Sequence, residues 1–164
     1  MKEIHDIVRN DYGKIALEET NATILSGNSS SETMSSSVGY TPDDLALAPV
    51  ESNLGLGCGN PHRKADIQPG ESSWISGAAL ALIVSSPEKS SVAVVVPIGV
   101  DMTPEMLSRA RKIAKENRIR NVEFRLGEIE NLPIADNTAD VVFLIVSSIC
   151  LTTNQEFIAK FFAH

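Results

Sequence analysis

Three side chains in this sequence have the type and the setting for chemistry: Cys58, Asp101 and Glu128. Cys58 lies in the stretch Asn53 to Pro61, NLGLGCGNP, among three glycines and a proline. A glycine-flanked thiol can approach a ligand closely, and thiolates select soft ions and metalloids. The bland alternative is a small buried residue in a tight turn, the commoner fate of an isolated cysteine. Asp101 ends the apolar, β-branched run Val92 to Val100, and a helix start follows it at once. In nucleoside-binding α/β folds a carboxylate at that strand end can accept both ribose hydroxyls. The competing reading is an acid that merely flanks a helix. Glu128, in LGEIENLP, comes one strand–helix unit later, where a loop residue can reach an adenine edge. Alone it would be a solvated loop acid, and its value comes from its spacing to Asp101.

The elements that must position these residues read as follows. Ile4, Ile7, Val8, Tyr12 and Ile15 recur at helical spacing over Ile4 to Ala16. Asn21 to Val38 is rich in serine and asparagine and is expected to be a mobile loop. Thr41-Pro-Asp-Asp44 reads as a helix start, with Thr41 as cap and Pro42 in the first turn. Thr103 is expected to cap a second helix, with Pro104 in its first turn and Glu105 favouring the positive end of the dipole. Met106, Leu107, Ala110, Ile113 and Ala114 form that helix's apolar stripe. Val122 to Leu126 and Ala139 to Val146 read as strands, and the order implies parallel pairing with right-handed crossovers. Pro97 is awkward within a central strand because it removes a ladder donor. GLGCG is badly placed for a phosphate loop: no apolar strand precedes it, and Asp101 lies too far on for one βαβ unit.

At 164 residues the chain fits one domain, and its 43% apolar and 21% charged content is ordinary for a soluble protein. The net charge of -7 argues against a general nucleic-acid partner, which needs a basic face. The longest apolar run, Gly77 to Val84, is far short of a membrane span, and no export signal opens the chain, so a cytoplasmic location is expected. Cys58 and Cys150 then read as free thiols. His5, His62 and His164 form no ligand spacing, so no metal site is expected.

Five stretches together resemble the S-adenosylmethionine-dependent arsenite methyltransferases. They are YGKIA at Tyr12 to Ala16, GYTPDDL at Gly39 to Leu45, NLGLGCGNP, GVDMTPEM at Gly99 to Met106, and NVEFRLGEIENLPIADNTADVV at Asn121 to Val142. NLGLGCGNP marks the arsenite branch, whereas the Asp101 region is shared by class I methyltransferases broadly. The resemblance implies an incomplete α/β, Rossmann-like class I methyltransferase core over residues 61–164. A helical and loop extension carrying the Cys58 substrate loop would occupy residues 1–60. It implies S-adenosylmethionine as cofactor, with Asp101 on the ribose, Met102 packed on the adenine, and Glu128 with Ile129 at the adenine edge. It further implies Cys58 as one of several thiolates that grip trivalent arsenic, with a thiol reductant as a further partner. Other readings are a class I methyltransferase for another small acceptor and a non-catalytic remnant. A dehydrogenase is disfavoured because no catalytic tyrosine–lysine pair is evident.

The chain departs from the family pattern in ways that share an explanation. The family's serine-rich-loop cysteines are absent, and so is the later part of its fold. The first strand and glycine-rich cofactor loop would fall at Ser72 to Pro87, SSWISGAALALIVSSP, which has one glycine. A GxGxG loop needs glycines for its tight turn and close backbone approach, and Ala78 to Leu82 read instead as an apolar helix. Weak or absent cofactor binding is therefore expected. Reading codons from the third base of each residue changes the segment. Trp74 followed by Ile75 must give Asp, and one permitted codon set turns Ser72 to Pro87 into VLDLGSGAGFDCFLA. The same shift over Val142 to Asn154 yields ISNCVINLSHDK, which supplies the family's missing cysteine. Our hypothesis is that the coding sequence carries small insertions or deletions near Glu71, Val96 and Val142. DNA sequencing should show bases that encode both peptides in the shifted frame; any other bases there reject the idea.

Overall fold

The computed structural model describes residues 2–17, 30–46, 48–56, 59–60, 73–76, 97–128, 131–136 and 141–144. Helix α1 spans Lys2–Leu17, α2 Ser31–Ser37 and α3 Pro42–Ala46, and a 3-10 turn follows at Val50–Ser52. Strand β1 is Ser73–Ser76, β2 Ile98–Asp101, β3 Glu123–Leu126 and β4 Val141–Leu144, with helix α4, Pro104–Glu116, between β2 and β3. The strands form one parallel sheet in the order β3-β2-β1-β4.

β2 is buried along its whole length, as a parallel strand covered on both faces should be. Pro97 finds its place immediately before the strand, where it needs no ladder donor; its carbonyl accepts from Glu123 N at 3.0 Å. The expected stripe of α4, Met106 through Ala114, is the helix's buried face. Leu107 is 1% exposed, and burying such a side chain contributes about 1.5–3 kcal/mol. Arg118 takes the left-handed conformation just past α4 (φ 58), and Ile119 N closes back on Ala114 O at 2.8 Å.

Two expectations need correction. Ser72 to Pro87 does not read as the family's first strand on its own residues, yet Ser73–Ser76 is β1, in register between β2 and β4, with Trp74 opposite Ile98 and Val142; Val92 to Val96 of the β-branched run lie outside the described residues. Pairing on both edges, a tertiary effect, supplies what local propensity does not. Likewise, Ser31–Ser37 is a helix rather than a mobile loop. Ser30 caps it by accepting from Thr33 N at 3.2 Å, and buried Ser35 donates to Asn53 Oδ1 at 2.8 Å. Residues 21–29 of that expected loop lie outside the described residues. Among those described, no helix is long and apolar enough to cross a membrane.

Helix α1 packs onto the sheet domain through a shared cluster: Ile15 and Ala16 of α1, Leu54, and Met106 of α4, with Tyr12 and Leu56 against it. Arg109 of α4 completes the joint. Its guanidinium donates to Ile15 O at 3.4 Å, Ala16 O at 3.3 Å and Glu51 O at 3.3 Å. The last carbonyls of a helix lack intrahelical donors, so a cation there both bonds and complements the dipole. Arg109→Ala should lower stability by about 1–2 kcal/mol, read as a lower urea midpoint at unchanged slope.

Candidate functional site

The site is built where β2 and β3 end side by side. Asp101 pairs with Leu126, and Gly127 N extends the ladder by donating to Asp101 O at 3.1 Å. Gly127 has no room for a side chain. An added Cβ would sit 2.5 Å from Pro133 Cδ and 3.2 Å from Val100 Cγ1, which fixes the loop closely over the strand end. That loop is pinned a second time by Arg125, which pairs with Glu123 at 2.8 Å and donates to Pro133 O at 2.7 Å. Leu132 and Ile134 then cover Ile98 and Val100.

Asp101 is 8% exposed, and its Oδ1 accepts from Thr103 N at 2.7 Å. Burial raises its pKa above the ordinary carboxylate value; the Thr103 backbone, the Thr103 hydroxyl and the Met102 backbone oppose that by hydrogen bonding the charged form. Thr103 stands at the N-cap position of α4, but its side chain makes no cap bond. Asp101 takes the cap's work instead, satisfying one orphan N–H of the helix with a carboxylate. A buried carboxylate oriented by neighbouring donors, at the carboxyl end of a parallel strand, is the acceptor that a vicinal diol requires. The residues at this end therefore fit a ribose.

Met102 and Glu128 meet at a third residue absent from the sequence-based set. Arg9 of α1 donates through Nε to Met102 O at 3.1 Å and through Nη2 to Glu128 Oε1 at 2.7 Å. Asp101, Met102 and Glu128 are thus brought to one corner. Ile129 and Cys58 lie outside the described residues, as does Cys150.

The flanks of the Cys58 loop are well defined. Asn53 Oδ1 accepts from Ser35 Oγ at 2.8 Å and from Gly55 N at 3.1 Å. Gly55 has φ +67, and an added Cβ would come within 3.1 Å of Ser31 Cα, so glycine is required there. On the far side Asn60 donates to Asp44 Oδ2 at 3.0 Å. The same carboxylate receives Thr41 N at 2.9 Å, while Thr41 Oγ1 accepts from Asp44 N at 3.2 Å, a reciprocal box that confirms Thr41 as a cap. The TPDD motif therefore starts a helix and also anchors the end of NLGLGCGNP.

A parallel α/β sheet with an acid at the end of its second strand defines a nucleoside-binding class of fold. Residues 80–162 match the family model described as "Methyltransferase domain", and the chain belongs to that family. Its fold is accordingly the Rossmann-like one of class I methyltransferases. It is 47% identical over 107 residues to an arsenite methyltransferase of Halobacterium salinarum, a match covering 64% of this chain and 27% of that protein. It is 42% identical over 45 residues to the uncharacterised methyltransferase YcgJ of Bacillus subtilis, covering 27% of this chain and 18% of YcgJ. The chain thus spans about a quarter or less of the length of these relatives. Among solved structures it is similar to YcgJ, with 28% identity, TM-score 0.40, and 51% of this chain and 35% of that one covered. It is also similar to coclaurine N-methyltransferase bound to N-methylheliamine and SAH, with 15% identity, TM-score 0.47, and 87% and 48% covered.

The raised pKa of Asp101 has a definite sign for stability. The folded chain binds this proton more tightly than the unfolded chain. Its contribution is therefore most favourable below the unfolded carboxyl pKa and is lost as pH rises through the raised folded value. Asp101→Asn keeps an acceptor for Thr103 N and removes the buried charge. The variant should exceed the parent in stability at neutral pH, and the gap should close on acidification, measured by paired urea melts across the carboxylate range.

Proposed function

We propose that this chain is part of an S-adenosylmethionine-dependent methyltransferase acting on trivalent arsenic. Asp101 accepts the ribose hydroxyls, Met102 packs on the adenine, Glu128 with Ile129 contacts its edge, and Cys58 is a thiolate ligand of the arsenic. The observation that carries this reading is the buried Asp101 carboxylate, oriented by Met102 and Thr103 at the end of β2 with Glu128 in the adjoining loop. Identity of 47% to an arsenite methyltransferase over 107 residues supports arsenic as the acceptor.

The cofactor supplies an electrophilic methyl group carried on a sulfonium. The chain's own part is to position: Asp101 and its neighbours hold the nucleoside end, and Cys58 presents arsenic as a thiolate complex with its lone pair free. A thiol reductant keeps arsenic trivalent and Cys58 reduced. The segment after β1 sets affinity at the methionine end. Ser76, the last residue of β1, lies opposite Val100, one residue short of Asp101.

A second reading, methyl transfer to another small acceptor, is favoured by the fact that the Asp101 corner is neutral towards the acceptor. Arsenite binding that is lost in Cys58→Ser separates the two.

Calorimetry with S-adenosylhomocysteine tests the nucleoside assignment and the loop argument together. The chain as it stands should bind more weakly than low micromolar, because Ala78 to Leu82 carry side chains where glycines are needed. Replacing residues 72–87 by VLDLGSGAGFDCFLA should tighten binding about tenfold or more, and adding Asp101→Asn should remove it. Low-micromolar binding by the unaltered chain refutes the loop argument. No binding by the replaced chain refutes the nucleoside assignment.

A further inference from the structure

Arg9 is separated by 93 residues from Met102 and by 119 from Glu128, yet one guanidinium joins them. Nε holds the Met102 carbonyl, in the peptide directly after Asp101. Nη2 holds the Glu128 carboxylate, in the loop after β3. Nη1 lies 3.5 Å from Asp6 Oδ1 on the same helix, which steadies the side chain from behind. A planar fork with fixed donor directions sets the mutual placement of two acceptors; the point charge of a lysine does not.

The energetics indicate what this contact is for. The Arg9 and Glu128 side chains are 34% and 48% exposed, and pairs so open to water add little to global stability. The fold is held elsewhere, by the cluster around Ile15 and Met106 and by Arg109. Arg9 therefore does little to keep α1 docked and much to define the strand-end corner.

We propose that Arg9 is a positioning residue of the nucleoside pocket. It sets the Met102 peptide against the base and aims Glu128 so that its carboxylate accepts from an exocyclic amine. This rests on the reading of Asp101, Met102 and Glu128 as the nucleoside end of the site. A carboxylate has lone pairs for both Arg9 and a base amine, so the ion pair and the ligand contact are compatible. The corner should then prefer a base that presents an amine, adenine, over one that presents a carbonyl at the same place, hypoxanthine.

Two measurements on the full chain decide this. The first uses no ligand: amide hydrogen exchange in the parent, Arg9→Ala and Arg9→Lys, beside urea melts of each. Exchange at Met102, Thr103, Gly127 and Glu128 should quicken in both variants, with the urea midpoint and the exchange of α4 held. Unchanged exchange at those four amides, or a uniform rise that follows a fall in midpoint, overturns the proposal.

The second uses ligand-observed NMR, which reads weak binding, with S-adenosylhomocysteine and S-inosylhomocysteine as probes. The parent should prefer the adenosyl ligand. Arg9→Ala and Arg9→Lys should each lose most of a preference of about tenfold or more, since a carboxylate that is no longer aimed at the amine does not distinguish the two bases. Glu128→Gln should lose it equally. A preference that survives in both Arg9 variants also overturns the proposal. If neither the parent nor the chain with residues 72–87 replaced binds either ligand, the nucleoside reading fails, while the exchange data still decide whether Arg9 orders the corner.

Discussion

Burying the Asp101 carboxylate at the end of β2 removes it from water, and the local structure follows from how that charge is accommodated. Desolvation favours the neutral form, and three donors from Met102 and Thr103 act against it. Those donors are available because the chain turns straight from strand into helix, so the free N–H groups at the start of α4 face the carboxylate. The demand of the helix for an acceptor and the demand of the acid for donors are met by the same bond, Thr103 N to Asp101 Oδ1 at 2.7 Å. Gly127 closes the arrangement from β3, packed so tightly on Val100 and Pro133 that the strand end has no freedom to relax outward.

The unit from Ile98 to Leu126 was legible because several signals agree there. A β-branched run, a proline in the first helical turn and a five-residue apolar stripe all point to strand, helix and strand. The TPDD box was legible for the same reason: its side chains act within four residues. β1 was not, since Ser-Trp-Ile-Ser has no β-branched run, and it pairs with a strand on each side. α2 was hidden by its polarity. Its buried contact is a serine hydroxyl on Asn53 rather than an apolar face, and hydropathy does not register such a bond. Thr103 holds the expected N-cap position without the expected cap bond, because its hydroxyl and its N–H both bond to Asp101, a contact the capping rule does not consider. Arg9 left no trace at all: nothing in a helix's spacing marks which arginine will reach residues 93 and 119 positions away.

Among the described residues, the two chemical signals in the sequence, NLGLGCGNP and the Asp101 turn, are joined through packing. Leu54, from the first, shares a cluster with Met106, which lies in the first turn of the helix that Asp101 caps. Ile15 and Ala16 of α1 fill the same cluster, and Arg109 binds their carbonyls together with that of Glu51, just before the Cys58 stretch. A shift of α1 would therefore disturb both motifs at once, at Leu54 through the core and at Glu128 through Arg9. Class I methyltransferase chemistry needs acceptor and methyl donor held in line within a narrow distance. Helix α1 touches the NLGLGCGNP stretch at one end, through Leu54, and the Met102–Glu128 corner along its middle, through Arg9, and so supplies a common reference for the two. It accounts for why YGKIA, which carries no reactive group, belongs with the two motifs that do.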